Sequence, residues 1–413
     1  MKQTRATIVA AVILVAFLML TAAGIAGAQQ PTPTPPYKPT LTPTPTETIV
    51  ITLVPAGGPT PLPTIAFGPI GGSAPQPTAT PSATATPQAA ELPTEEAPAA
   101  AENINPLTGL PVSDPATIER RPLLVKISNY PHLVRPQHGV GWADHVWEYS
   151  MEGGVTRLTA VFLTHDLAQI GSVRSARPID TYLVPMYGGF LAYSGASTGT
   201  NEMLRAQPWF QERAFSPEKG DYCPIFCRYE REGVDFWHTM FVSAVAIRQA
   251  AEEREVDAAV DLTGLTFSEE PPAGGTPART INILYKATNM YWLYSPTADQ
   301  YYRWQEGEAH LDAVSGLQVI FQNVVMIYAD HVETDIVEDE IGAGNYAWDI
   351  QLEGEGPAIL FRSGQRYDVR WVRPDNGGMI HLVDEAGNDV PLEPGQTWFQ
   401  VVPLDHTALE VGQ

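Results

Sequence analysis

Positive charge is what this 413-residue chain has least of: 24 lysines and arginines face 47 aspartates and glutamates, a formal net charge of −23. Lysine is the rarer of the two, with only Lys126, Lys219 and Lys286 after residue 101, and residues 102–413 alone carry −22. Such a polyanion is repelled by phosphate backbones, which excludes a nucleic-acid partner. Cysteine is almost missing, Cys223 and Cys227 being the only two. Stability must therefore come from a packed core and not from covalent staples. No cysteine precedes Cys223, so the sequence offers none for an N-terminal lipid.

Long apolar runs are also missing, apart from Ile8 to Leu20, an uncharged stretch of 13 behind the basic Lys2 and Arg5. Ala26-Gly27-Ala28 then supplies small residues at a cleavage site. This layout predicts an export signal over residues 1–28, with Gln29 as the new N-terminus. The alternative is an uncleaved anchor, because the 23 residues from Ala6 to Ala28 carry no charge and can span a bilayer. Either way the bulk of the chain is expected outside the cytoplasm, secreted or tethered to the outer face of the membrane through that segment. Residues 29–101 hold 18 of the 38 prolines and 15 threonines. Alternating Pro and Thr builds no ladder and buries no face, which predicts a disordered, extended stalk.

Residues 102–413 are long enough for one large core or two smaller ones. Leu123 to Ser128, His145 to Tyr149, Leu158 to Thr164 and Phe190 to Tyr193 are strand candidates. Ile179 to Tyr187 is expected as a helix interrupted at Pro185, and Thr239 to Arg254 as the clearest helix. Pro271 to Pro277 breaks the pattern and marks an internal boundary. Beyond it come strands: Ile281 to Tyr285, Met290 to Tyr294, Tyr301 to Trp304 and the long run Val319 to Tyr328. Two hairpins follow, one joining Ile359 to Arg362 with Tyr367 to Val372, the other turning at Glu385 to Asn388. The expected class is α+β, an α/β-like N-terminal portion followed by a mainly antiparallel β portion.

Four segments of the first portion together resemble a known family. They are Asn105-Pro106-Leu107-Thr108-Gly109, Ala143-Asp144 leading to Glu148, Glu152 to Arg157 (EGGVTR), and Gly171 to Arg177 (GSVRSAR). The family is that of the YerB-like lipoproteins, defined as a domain of unknown function with N- and C-terminal parts. Asn323-Val324-Val325, Gly356 to Arg362, Trp371 and Pro394 to Trp398 resemble its C-terminal part. The resemblance implies an envelope protein with two subdomains, over residues 102–272 and 273–413, and implies no catalytic activity. This chain departs from the pattern in lacking the lipid-accepting cysteine. It also has Tyr193-Ser194-Gly195-Ala196-Ser197 where the family carries His before Gly-Gly-Ser.

Arginine usage points to a candidate site. Residues 102–413 hold 18 arginines, and Arg157, Arg174 and Arg177 fall in the family-like segments beside Gly153, Gly154 and Gly171. A guanidinium fork holds carboxylates and phosphates bidentately, so these three are ligand-binding candidates for an anion or sugar acid. The competing reading is an internal ion-pair network with Glu148, Glu152 and Asp180.

Catalytic candidates are weaker. Glu148 and Glu152 would lie about 6 Å apart on a helix but about 13 Å apart on a strand. Two-carboxylate glycoside hydrolysis needs roughly 5–9.5 Å, so the strand expectation opposes that pairing. Gly195 to Gly199 fits G-x-S-x-G around Ser197, and Asp221 or Asp235 and then His238 complete the order Ser, Asp, His. The plainer reading is a small-residue turn at a helix start, with His238 a helix-start or core histidine.

Cys223 and Cys227 are expected as a disulfide, with a metal pair as the alternative. Asp330 to Glu340 packs six carboxylates into eleven residues but lacks EF-hand spacing, and is expected as a solvated acidic loop. No cofactor or metal is expected. These features predict a binding module for a polar or anionic ligand such as a cell-wall fragment or other glycan. A hydrolase of glycan or ester bonds, or a scaffold for another protein, are the alternatives.

Overall fold

A computed structural model describes residues 103–338 and 344–413. The expected export signal or anchor and the stalk lie outside the described residues. Among the described residues no helix is long and apolar enough to cross a membrane. The class is α+β, with the α-helices Asp180–Tyr187, Thr198–Arg205, Phe210–Arg213 and Ala244–Glu253 all in the first half and strands alone thereafter.

An 11-stranded mixed sheet organises everything else. From one edge its strands run His381–Val383, Gln365–Arg373, Gly354–Arg362, Asn323–Ala329, Thr397–Pro403, His145–Ser150, Thr156–Phe162, Leu123–Ser128, Phe190–Ala192 and Ala214–Phe215. Thr276–Pro277 adds a short strand beside Gln365–Arg373. The sheet therefore takes strands from both sides of Pro271–Pro277, and they meet where His145–Ser150 pairs in parallel with Thr397–Pro403.

Both faces of this sheet are covered. Leu124, Trp147, Tyr149, Val161 and Phe399 pack on one face with Leu183, Val184 and Leu204 of the first two helices. Val125, Ile127, Val146 and Trp398 pack on the other with Ile247 and Ala251, and with Ile281, Ile283, Met290 and Trp292 of a separate six-stranded sheet. Double coverage explains why Leu123–Ser128 and Thr156–Phe162 are buried at every position. The six-stranded sheet is covered on one side only, so its strands alternate buried and half-exposed residues.

Three expected elements differ. Thr239 to Arg254 is a strand, Met240–Val242, and then a helix that starts after Ser243, whose hydroxyl accepts from Ala246 N at 3.2 Å. That N-cap splits what periodicity joins. Val319 to Tyr328 divides into Ile320–Phe321 and Asn323–Ala329, which belong to different sheets. Most of the acidic run is strand and not loop: His331–Val337 pairs antiparallel with Tyr346–Ile350, and Asp339 and Glu340 lie outside the described residues. Its carboxylates alternate with Thr334 and Ile336, and Ile336 leans on Gly199 of the second helix. Cys223 and Cys227 form the expected disulfide, Cα atoms 5.0 Å apart, at the start of Phe226–Arg228.

Candidate functional site

On the helix-covered face a polar cluster begins with Lys126, the one charged residue of the strand Leu123–Ser128. Its ammonium is fully buried and donates to Tyr149 OH, to Thr159 Oγ1 at 2.7 Å and to Asp180 Oδ1 at 2.7 Å. Burial pulls its pKa down to about 8 against the opposing pull of Asp180. Asp180 opens the helix Asp180–Tyr187, and its second oxygen accepts from Arg177 N at 2.8 Å. The helix is thus pinned to the sheet directly beneath the arginines.

Arg157 lies two residues before Thr159 on the same strand, so its side chain leaves the same face. The turn Glu152–Gly154 brings Glu152 back over that face, and Gly153 makes it possible with φ +76°. Arg174 and Arg177 arrive on the segment after Ile170–Gly171. A side chain at Gly171 would meet Val173 N at 2.8 Å, so the approach needs glycine there.

Arg177 is fully engaged. It donates through Nη2 and Nε to the two oxygens of Glu152, the latter at 3.1 Å, and through Nη1 to Ala176 O at 2.8 Å. Glu338, from the end of the acidic strand, sits 3.3 Å from the same Nη1. Burial disfavours the Arg177 charge, but Glu152 and Glu338 outweigh it and hold its pKa above the ordinary arginine value. Glu338 in turn accepts from Ser197 Oγ at 3.0 Å and Thr200 Oγ1 at 2.6 Å, at the start of the helix Thr198–Arg205. The clamp reading of Arg177 is therefore corrected: its donors hold internal carboxylates.

Arg157 and Arg174 are different. Arg157 is only 4% exposed, and among the described residues no carboxylate comes within 4 Å of it. It donates through Nη1 to Ser175 O at 3.3 Å, while Nε is buried without a partner among the described residues. Arg174 is half-buried, donates to Trp237 O at 3.0 Å, and likewise has a buried, unpartnered Nε. Burial, and then the neighbouring Arg177 and Arg174, pull the Arg157 pKa down to about 9. Arg174 is lowered by burial and by Arg177. His238 completes the group, with Nδ1 3.4 Å from Ser128 Oγ, and its pKa is held down to about 4 by burial, Arg174 and Arg157. The rim is aromatic: Phe236 and Trp237 are 60% and 67% exposed, and the Arg228 guanidinium lies over the Phe236 ring. Among the described residues Arg177 alone holds the two carboxylates, and the other two guanidiniums keep unused donors.

The catalytic pairings do not form. Glu148 leaves the opposite face of the sheet and is completely buried, accepting from Asn129 at 3.0 Å, Thr156 at 2.8 Å, Arg303 at 2.8 Å, Trp398 at 3.1 Å and Gln400 at 2.9 Å. It shares no partner with Glu152. Ser197 is an N-cap, accepting from Thr200 N at 3.3 Å, and no hydrogen bond joins it to His238. Asp221 binds Arg254 at 2.7 Å and accepts from Ser216 N at 2.9 Å, and no hydrogen bond joins it to His238. Sequence reasoning missed Glu338, whose signal was its place in alternation with Thr334 and Ile336. It also missed Lys126, whose signal was a lone charge inside an apolar strand.

Comparison with known proteins matches residues 107–257 to the N-terminal domain of a family described as a protein of unknown function (DUF3048). Residues 280–399 match the C-terminal domain of that family. A protein of Bacillus subtilis (strain 168) named "Putative lipoprotein YerB" is 29% identical over 324 residues, covering 75% of this chain and 89% of its own. The crystal structure of YerB protein from Bacillus subtilis is similar with a TM-score of 0.63 and 27% identity, over 75% of this chain and 99% of that one.

Proposed function

Because the chain belongs to the YerB-like family, with both of its domains of unknown function, we propose that it is an extracytoplasmic binding module for an anionic ligand. A cell-wall fragment bearing a carboxylate or phosphate is the fitting class. The observation that carries this reading is Arg157, a buried guanidinium with an unpartnered Nε and no carboxylate within 4 Å among the described residues. Such a group is costly to the fold unless a ligand completes it. Arg174 adds a second donor set, and the exposed Phe236 and Trp237 offer surface for the body of a sugar acid. The relative named a lipoprotein supports a place at the outer face of a membrane. The expected stalk would carry the site away from that surface.

Thermal melts of the full chain with inorganic phosphate and with N-acetylmuramate test the reading. A ligand that binds only the folded state raises the melting temperature as its concentration passes Kd. The expected result is a rise with at least one of the two that is lost in Arg157→Met. No rise with either anion, or an equal rise in the variant, would refute the anion site.

A further inference from the structure

The outer face of the six-stranded sheet carries a second feature that shares no residue with the arginine cluster. Antiparallel register aligns Glu410, Asn282, Tyr291 and Trp304 side by side across four strands. At about 4.8 Å per strand the row is about 14 Å long. It floors a cavity of about 580 Å³ that also takes in Asn289 and Thr280. The two aromatic rings meet edge to face at 5.8 Å, and both are half-exposed. Their inward neighbours Ile281, Met290, Trp292 and Arg303 are buried, so the backbone beneath the row is rigidly held.

Three observations fix the chemistry of what would fit. Asn282 Oδ1 and Asn289 Oδ1 are buried acceptors with no partner among the described residues. An occupant must therefore donate hydrogen bonds. The lining holds Glu410 and no lysine, arginine or histidine, which disfavours an anion. Asn282 Nδ2 already donates to Glu410 Oε2 at 3.1 Å, so that carboxylate is oriented along the row with acceptor capacity left. Half-exposed aromatic rings flanked by amide acceptors suit a molecule with an apolar C–H face and hydroxyl edges.

We infer that this face is a binding site for an uncharged oligosaccharide, with Tyr291 and Trp304 stacking on sugar rings and Asn282, Asn289 and Glu410 accepting from hydroxyl or amide N–H groups. The site is independent of the anion site and stands whether or not that reading holds.

Calorimetric titration of the full chain with chitohexaose and with maltohexaose tests it. Binding of at least one oligosaccharide is expected, weakened about tenfold or more by Trp304→Ala and by Asn289→Ala and left unchanged by Arg157→Met. Asn289→Ala keeps the aromatic pair, so it decides the matter if Trp304→Ala fails to fold. The inference is overturned if neither oligosaccharide binds the parent chain, or if Asn289→Ala binds as tightly as the parent.

Discussion

Arg177 and Arg157 both lie in the field of Glu152, but only Arg177 holds it, taking both carboxylate oxygens. The two arginines should therefore answer substitution with opposite signs. Arg177→Ala leaves Glu152 and Glu338 uncompensated and is expected to destabilise the fold by about 3–5 kcal/mol. Arg157→Met removes a buried cation whose Nε has no partner, and is expected to stabilise by about 1–3 kcal/mol while abolishing anion binding. Denaturant melts of the two variants without ligand check the pair. Equal losses in both would mean that Arg157 has an internal partner and no donor left for a ligand.

His238 reports on the same arginines. Burial and the charges of Arg174 and Arg157 depress its pKa to about 4 from the ordinary histidine value of 6.5. In the free protein the ring therefore stays neutral well below the ordinary histidine range. The unfolded chain binds the proton more readily across that window, so this group's contribution to stability is present above about pH 6.5 and is lost as pH falls toward 4. An anion between the arginines cancels part of their field, so the His238 pKa is expected to rise on adding phosphate. NMR titration of the His238 ring with and without phosphate measures this. An unchanged midpoint would place the anion elsewhere.

How far the sequence alone could be read depended on whether one face of an element stays wet. The half-covered strands Thr280–Leu284, Asn289–Ser295 and Gln300–Gln305 alternate, and their pattern was legible within a residue or two. The hairpin Gly354–Arg362 with Gln365–Arg373 matches the one expected between Ile359 and Val372, although both strands run longer than expected. In the central sheet both faces are covered, so alternation vanishes and nothing in the sequence tells Glu148 from Arg157 by side. That Glu148 and Glu152 belong to separate networks follows only from three dimensions. Glu338 meets Ser197 across 141 residues, a pairing no local pattern encodes.

Glu148 makes a sharp case against the carboxylate-pair reading. It and Arg303 form a fully buried ion pair at 2.8 Å, reinforced by Trp398 and Gln400. Glu148→Ala is expected to cost about 3–5 kcal/mol, because Arg303 is left charged and buried. Anion binding by the surviving folded fraction should be unchanged, since Glu148 lies on the other face. Loss of binding at full stability would instead tie Glu148 to the ligand.

The disulfide should matter only locally. Cys223 and Cys227 close a loop of five residues, for which chain entropy gives a contribution of about 2 kcal/mol. Replacing both with serine is expected to lower stability by no more than that and to leave phosphate binding intact. Native, unreduced protein should show no alkylatable thiol. Two reactive thiols in such material would contradict the pairing.

Glu338 separates an internal competitor from a mere strut. Its carboxylate sits 3.3 Å from Arg177 Nη1 and accepts from Ser197 and Thr200, where an incoming anion would find the same donors. Glu338→Gln keeps the shape and one acceptor oxygen, turns the other into an NH2 donor and removes the charge. Among the described residues the three guanidiniums are then faced by the Glu152 charge alone, so the local field grows more positive. Phosphate affinity is expected to rise several-fold, and its binding should become more sensitive to salt because less of the site's charge is met internally. The fold should lose about 1–2 kcal/mol through the weakened contact with Arg177, against the much larger loss expected for Arg177→Ala. A carboxylate that merely braces the helix start would behave otherwise: Glu338→Gln would then lower stability and leave phosphate affinity where it was. Calorimetric titration of the variant with phosphate at two salt concentrations distinguishes the two roles.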